Sequence, residues 1–393
     1  MDLLDKKFYA PILSRSEVGN RLDILFIAGE HSGDEHASHI IKAFQKNDPK
    51  ISICGIGGPL MRLAGAELLY DFTQHAVIGL FEVLKSYPFF LQFFKALIIW
   101  IMQYKPRNIC FVDFSGFNLR VAKRLYRNGI SQKAGGSIRL HYYISPQIWA
   151  SRSYRRFAMA RYIDHLGVIF PFEIDCYKDT QLDVEFVGHP LVAENCKLLV
   201  KYSPRGPLLL LPGSRRQSIE KILPLMMSVF SVMAKNYPSL TACVIYPNSM
   251  VKLLVESILS RWPEITSRIN ILSNDKPVLG SLALTVSGTM SLQCALAGIP
   301  GIIVYRTSML TYLLCRMLLH ISYIGIANIL LNKPVYDEYI QHNARSDFLV
   351  AALENHLFNM ESRTKAKLNA IDLRKALRSE QQGCPADWLR SNI

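Results

Sequence analysis

The sequence predicts an α/β protein built from two doubly wound, Rossmann-like halves. Three observations carry this expectation. Short β-branched or Leu-rich runs alternate with longer helix-like segments. The alternation breaks once, at a polar and Pro-containing passage, and then restarts. The chain has 393 residues, half of them apolar and 19% charged, enough for two or three domains with sizeable cores. That composition excludes disorder, collagen-like repeats and a small stapled scaffold.

In the first half the runs are LDILFIAG (22–29), ISICGIGG (51–58), NICFVDF (108–114), IRLHYYIS (138–145) and HLGVIF (165–170). Near-continuous apolar runs of this kind suit parallel strands covered on both faces by crossover helices. After Val187-Gly188-His189-Pro190 comes a linker near 190–206. The rhythm then resumes with LLLLPGS (208–214), TACVIYP (241–247), INILS (269–273), LALTVSG (282–288) and GIIVYR (301–306). The expected division is a tail over 1–20, a first domain over 21–192, a second over 207–345 and a C-terminal helical segment over 346–393. In the last of these, RTKAKLNAIDLRKALR reads as a solvated helix. Ligands of such sheets sit beyond the carboxyl ends of the strands, so the residues following each run are the first candidates.

A formal net charge of +14 and a pI near 9.4 suit phosphates, nucleic acid or an anionic membrane face. Nucleic acid is disfavoured, because the charge is dispersed and no basic-aromatic recognition module is evident. Eight cysteines without a CxxC or Cys/His spacing point to a reduced, cytosolic protein with no zinc site. The N-terminal MDLLDKKFYAPILSRSEVGN is charged at Asp2, Asp5, Lys6 and Lys7, and no export signal is expected. The most apolar stretch, Tyr87 to Met102, is interrupted by Pro88, Gln92 and Lys95. A central Lys costs a membrane span about 2.5–3.5 kcal/mol, so the stretch is expected to lie on or dip into a membrane, with a buried core helix and then a true span as the other readings. In the first reading Phe89, Phe90, Phe93, Phe94, Ile98, Ile99 and Trp100 form the apolar approach, and Lys85, Lys95, Lys105 and Arg107 meet headgroups. A second apolar stretch, Leu310 to Leu319, includes Arg316, precedes His320 and suits domain packing as well as lipid.

Several strand ends are suited to chemistry. The first run leads into Gly29-Glu30-His31-Ser32-Gly33-Asp34-Glu35. Ser32 with Glu35 is a capping-box pattern, which predicts Ser32 at a helix N-cap and leaves Glu30 and His31 as site candidates. No GxGxxG fingerprint is present. Asp113 ends the third run beside Phe114 and Phe117, where a carboxylate can take a proton from a sugar hydroxyl or simply shape a turn. Trp149 suits stacking on a sugar ring or a place in a core. In the second half, Pro212-Gly213-Ser214-Arg215-Arg216-Gln217 repeats the capping pattern at Ser214 and Gln217. Helix amides there can receive an anion, with Arg215 or Arg216 adding a charge-assisted bond. A further turn runs through Ser287, Gly288 and Thr289 to Gln293, in a helix expected to stop at Gly298 and Pro300. Two anion-competent turns in one half suggest a nucleoside diphosphate.

Ten ordered motifs then carry a resemblance: AGEHSGD (28–34), GIGGPLM (55–61), VIGLFEVL (77–84), VDFSGFNLR (112–120), HYYISPQIWA (141–150), IFPFE (169–173), FVGHPL (186–191), LLPGSRRQSIE (210–220), SGT (287–289), and YRTSMLTYLL with ANILL (305–314, 327–331). Over residues 22–342 the chain resembles the lipid-A-disaccharide synthase family of bacterial glycosyltransferases. The resemblance implies a B-type glycosyltransferase, two domains facing a cleft, with the acceptor mainly on the first and the UDP-sugar on the second. It implies transfer from UDP-2,3-diacylglucosamine to 2,3-diacylglucosamine 1-phosphate, giving a β-1,6-linked disaccharide phosphate and UDP with inversion and without metal or cofactor. It further implies a cytoplasmic enzyme peripheral to the inner membrane, with a C-terminal segment packing back across the domains or onto a partner in a homodimer.

By matched position, Asp113 looks like the general base, Arg215 the diphosphate-contacting arginine and Asn328 a donor-side asparagine. Gly213, Ser214, Gly288, Thr289, Gln293 and Arg306 complete the implied donor set. Glu30, Ser32, Gly33, Asp34, Asn118 and Trp149 fall on the acceptor side. The chain departs from the family in having Gln293 for Glu, Gly116 for Asp, Ser115 for Pro and Ser151 for Trp. Replacing a charged acceptor by a neutral one at 293 is expected to weaken UDP binding by roughly tenfold. A transferase with another acceptor, or a non-catalytic lipid- or nucleotide-binding relative, remains compatible with these departures.

Overall fold

The computed structural model describes residues 13, 15, 22–73, 80–193, 196–306, 323–379 and 384–393, with the backbone alone over 80–87. Apart from Leu13 and Arg15, the expected tail lies outside the described residues, as do Leu310–Leu319, Arg316, His320 and the side chain of Lys85. The chain forms two compact units, residues 1–190 with 379–393, and 191–378.

The first unit runs β1 (Ile24–Ala28), α1 (His31–Asn47), β2 (Ile53–Gly57), α2 (Pro59–Leu63), β3 (Glu67–Asp71), α3 (Leu80–Tyr104), β4 (Asn108–Val112), α4 (Ser115–Arg127), β5 (Arg139–Tyr143), α5 (Arg155–Tyr162), β6 (His165–Val168) and β7 (Asp183–Phe186). Its strands pair in parallel in the order β3-β2-β1-β4-β5-β6-β7. β1, β2 and β4 are buried along their whole length, which is why their sequences are apolar but for Asn108 at the start of β4. The order reverses between β1 and β4, where Ala28 lies in register with Val112.

The second unit runs β8 (Val200–Tyr202), β9 (Leu208–Leu211), α6 (Arg216–Asn236), β10 (Ala242–Tyr246), α7 (Ser249–Leu259), α8 (Pro263–Thr266), β11 (Ile269–Ser273), β12 (Val278–Gly280), β13 (Leu282–Thr285), α9 (Thr289–Leu296), β14 (Gly301–Tyr305), α10 (Ile326–Leu331), β15 (Asp337–Ile340), α11 (Ser346–Phe358) and α12 (Met360–Leu377). Its main sheet is parallel, ordered β11-β10-β9-β13-β14-β15, and β8 pairs with β12 apart from it. Here the reversal falls between β9 and β13.

Each run named in the sequence holds a strand. The strands without such a run include the edges β3, β7 and β15, whose residues are mostly half-exposed and carry Glu67, Asp71, Asp183, Glu185, Asp337 and Glu338. An edge has one covered flank, so it lacks the apolar signature. The division expected at residue 345 differs from the structure. Leu349, Val350 and Leu353 of α11 belong to the core of the second unit, and Arg374 of α12 donates to the Leu296 carbonyl at 3.0 Å. A last helix, α13 (Pro385–Ser391), belongs to the first unit, where Trp388 and Leu389 are buried and Arg139 donates to the Asn392 carbonyl at 2.9 Å.

The membrane reading of Tyr87–Met102 needs correction. On α3, Phe89, Phe93, Leu97, Ile98, Trp100 and Ile101 face the core, and Phe89, Phe93, Ile98 and Trp100 are each 8% exposed or less, so these four are packing rather than membrane contacts. Phe90 and Phe94 are half-buried against the same cluster. Of the expected approach, Ile99 stands on the outer apolar stripe, with Leu91 and Met102 and with Lys95 between them. Helical periodicity explains the split: one stripe covers the sheet and the opposite one faces outward. No helix among the described residues is long and apolar enough to cross a membrane.

Candidate active site

At the reversal in the first sheet, β1 leads into Gly29-Glu30 and β4 into Asp113, so the two loops start from adjacent strands. The Ser32 capping expectation is not met. Glu30 is the N-cap of α1, in extended conformation and without a side-chain cap, and the Asp34 amide already bonds the Glu30 carbonyl at 3.0 Å. The first helical turn thus closes two residues before Ser32 was to begin it. Glu30, His31 and Ser32 are exposed, whereas Gly33 and Asp34 are buried. The Asp34 carboxylate is turned away from the loop and caps α2, accepting the amides of Gly58, Leu60 and Met61 at 2.9, 3.0 and 3.1 Å.

Asp113 has φ +48 and Phe114 φ +46, two successive left-handed residues that are not glycine. The Asp113 amide donates to the Tyr143 carbonyl at 3.0 Å. Its carbonyl accepts two bonds, from the Tyr142 hydroxyl at 2.6 Å and from Asn118 Nδ2 at 2.8 Å. Asn118 is wholly buried and therefore holds this strand end rather than facing the loop. Burial, and then the charge of Glu30, push the Asp113 carboxyl up to about 6. The Phe114 ring lies over Gly29 so closely that a Cβ there would come within 2.3 Å of it. Phe114 stands 5.6 Å from Phe117 and 5.7 Å from Phe72, and the cluster continues to Phe90 and Phe94. The result is a carboxylate of raised basicity beside an aromatic wall, ionised at neutral pH and suited to accept a proton.

Trp149 follows β5 and is half-buried, edge-on to Phe172 at 5.5 Å. It lines an open cavity of about 360 Å³ with Ile148, Arg156 and Asp179. Next to Phe172, burial pushes the Glu173 carboxyl up to about 8. Arg155 donates to Ser115 Oγ at 3.1 Å, at the start of α4. Sequence reasoning missed Tyr142, because within HYYIS it reads as one more apolar strand residue.

In the second unit, the reversal brings the loop after β9 beside the one after β13. Gly213 has φ +95, and a Cβ on it would crowd Val286 Cγ2 at 3.1 Å, so a glycine fits this turn best. The expected Ser214 cap is likewise displaced: Arg215 is the N-cap of α6, and the amides of Ser218 and Ile219 close the first turn on its carbonyl. Ser214 and Arg215 are exposed. Arg216 is held by Glu220 at 2.7 Å, and among the described residues Arg215 has no ion pair. Of the two candidate arginines, Arg215 is the available one.

Gly288 is the N-cap of α9, Thr289 is exposed, and Ser287 Oγ donates to the Ile324 carbonyl at 2.6 Å. The helix ends as expected, with Gly298 at φ +68 just beyond it. Gln293 is 6% exposed and its Oε1 accepts the Leu199 amide at 3.0 Å. Asn328 is fully buried: Nδ2 donates to the Tyr336 carbonyl and Glu338 Oε1, while Oδ1 accepts the amides of Val335 and Tyr336. Glu338 in turn accepts the amides of Ile324 and Gly325. Asn328 and Glu338 thus tie β15 to the loop entering α10. The Arg306 guanidinium donates to the Ala344 carbonyl.

A sequence profile described as lipid-A-disaccharide synthetase matches residues 24–388, which takes in both units and all of these loops. The chain belongs to the lipid-A-disaccharide synthetase family. Among relatives, it is 32% identical over 375 residues to lipid-A-disaccharide synthase 1 of Legionella pneumophila, covering 93% of this chain and 96% of that one. It is 33% identical over 350 residues to the lipid-A-disaccharide synthase of Coxiella burnetii, covering 85% and 89%. Among solved structures, a putative UDP-N-acetylglucosamine 2-epimerase of Listeria monocytogenes shares the fold with a TM-score of 0.63 at 10% identity, over 95% of each chain. The two-domain Rossmann-like architecture expected for a lipid-A-disaccharide synthetase is therefore the one observed.

Proposed function

We propose that this chain is a lipid-A-disaccharide synthase, an inverting UDP-sugar glycosyltransferase. It transfers 2,3-diacylglucosamine from UDP-2,3-diacylglucosamine to 2,3-diacylglucosamine 1-phosphate, giving the β-1,6-linked disaccharide phosphate and UDP. The observation that carries the reading is the family match across 24–388, which includes both sheet reversals. Ligands of doubly wound sheets gather at such reversals, and Asp113 and Arg215 stand at one each.

In this reading Asp113 accepts the proton of the acceptor's 6-hydroxyl while its oxygen attacks the anomeric carbon. The bond from that carbon to the diphosphate oxygen breaks, and UDP leaves with the electron pair. Arg215 and the open amides at the start of α6 stabilise the departing charge, with Gly213 allowing the close approach. Ser214, Gly288 and Thr289 contribute the remaining donor contacts. Gln293, Arg306 and Asn328 act on the donor side through the backbone they hold, and Asp34 and Asn118 support the acceptor loops in the same way. Exposed Glu30 and half-buried Trp149 meet the acceptor sugar. Phe90 and Phe94, with the aromatic wall beside Asp113, receive acyl chain, whose burial contributes about 0.8 kcal/mol per CH2. The enzyme works at the cytoplasmic face of the inner membrane as a peripheral homodimer, with the outer stripe of α3 toward the lipid.

The test is purified protein incubated with both diacyl substrates and read by mass spectrometry. The tetra-acyl disaccharide phosphate and an equal amount of UDP are expected. UDP release without that product, or no turnover of any UDP-sugar, would refute the reading.

A further inference from the structure

We propose that Tyr142 is a positioning residue for the general base, acting with Asn118 to clamp the Asp113 carbonyl so that the carboxylate is held toward the reacting hydroxyl. The proposal rests on the reading of Asp113 as that base.

The argument starts from the backbone. Asp113 and Phe114 at φ +48 and +46 occupy a region that L-residues other than Asn and Asp rarely visit, and they occupy it in succession. Such a pair persists only where its surroundings over-determine it. Here the Tyr142 hydroxyl and Asn118 Nδ2 both donate to one oxygen, at 2.6 and 2.8 Å, so both lone pairs of the Asp113 carbonyl are used. The adjacent amide is fixed on Tyr143 at 3.0 Å. Rotation of the peptide after Asp113 into a right-handed form would break the two carbonyl bonds together.

Tyr142 is well placed for this task. It lies on β5 in register with Phe111 of β4, its ring centroid stands 6.0 Å from that of Phe111, and it is fully buried. The hydroxyl therefore has no water to exchange for the carbonyl. Asn118 reaches the same oxygen from the first turn of α4, and its amide also approaches the carbonyls of Ile27 and Val112 at 3.4 and 3.5 Å. One strand and one helix thus converge on the atom that sets the direction of the Asp113 side chain.

Tyr142→Phe removes the hydroxyl and keeps the ring. The measurements are kcat, KM for both substrates, UDP affinity, melting temperature and the pH profile of kcat/KM, each in the wild-type and in the Asp113→Asn background. In the wild-type background kcat is expected to fall about ten- to hundredfold, as small misplacements of a reacting group do. KM and UDP affinity are expected to stay within about twofold, and the acid limb to move toward the ordinary carboxylate range. In the Asp113→Asn background the same change is expected to leave the residual turnover unaltered, because the base it positions is already gone. If Tyr142→Phe fails to fold, Asn118→Ser, which withdraws the other donor, goes through the same cycle with the same expectations.

An unchanged kcat in the folded variant would overturn the clamp while a crippled Asp113→Asn left the base reading intact. An equal slowing in both backgrounds would show a structural role only, and would also overturn it. Wild-type turnover by Asp113→Asn would overturn the base reading and this proposal together.

Discussion

Asp113→Asn separates the demands of the fold from those of the reaction. Burial and the Glu30 charge raise the Asp113 carboxyl from 3.8 to about 6. At 1.36 kcal/mol per pH unit, holding the ionised form in the folded state costs about 3 kcal/mol, or about 2 once partial exposure is allowed for. The folded-state value lies above the unfolded one, so between these pH values the native state binds more protons and stability falls as pH rises. The cost is absent below about pH 4 and fully present above about pH 6. Asn carries no charge, matches Asp in volume and tolerates the left-handed backbone. By calorimetry, the variant is expected to melt about 4–8 °C above the wild type at pH 8. At pH 4 the two are expected to melt together. Its turnover, followed by mass spectrometry of the product, is expected to fall by about 10²–10⁴. A variant no more stable than the wild type at pH 8 would mean that the site does not penalise the carboxylate, and the argument for its raised basicity would fail.

Wild-type kcat/KM is expected to rise with pH through a midpoint near 6 and then level off, because the base works in its ionised form. A pH–rate profile from 4.5 to 8 checks this, and a midpoint near 4 would contradict the burial argument. Gly29→Ala places a Cβ 2.3 Å from the Phe114 ring, so the ring beside Asp113 must give way. The expected loss is about 1–3 kcal/mol in denaturant unfolding together with most of the activity; wild-type turnover would show that the ring can move aside freely. Asn328→Ala leaves the Tyr336 amide without its acceptor and the Val335 amide with the Lys333 carbonyl alone, and is expected to destabilise by about 2–4 kcal/mol. UDP affinity by calorimetry is expected to fall with it, and loss of affinity without loss of stability would argue instead for direct contact with the nucleotide.

The strands flanking both reversals, and the loops after them, were legible in the sequence, because buried parallel strands are largely apolar and because those loops carry the glycines and charges. The first-turn details were not. Ser32-x-x-Glu35 and Ser214-x-x-Gln217 have the right residue types for capping boxes, yet the helices start at His31 and Arg216. Each first turn closes on an extended residue other than the serine: on Glu30, two residues before Ser32, and on Arg215, one residue after Ser214. Burial was equally hidden. Glu30 and Asp34 lie four residues apart in one motif, but only the structure shows the first exposed and the second capping α2. Tyr142 left no local signal, since its partner is a carbonyl on the neighbouring strand and the pairing depends on register.

The two departures nearest the chemistry differ in physical character. Gln293 is buried and its oxygen is engaged by the Leu199 amide, so a carboxylate there would carry its charge into a place where that amide is its hydrogen-bond donor. Desolvation offsets much of what a charged acceptor gains, which makes the neutral amide a modest loss for nucleotide binding. Gly116 is the opposite case. A Cβ built on it meets nothing within 4 Å, so the Asp common in the family would stand in open space in the first turn of α4, three residues from Asp113. Its absence therefore answers no packing demand and acts through charge. A second carboxylate at 116 would add to the repulsion that Glu30 already exerts on Asp113. With glycine in that place, Glu30 and burial set the basicity of Asp113.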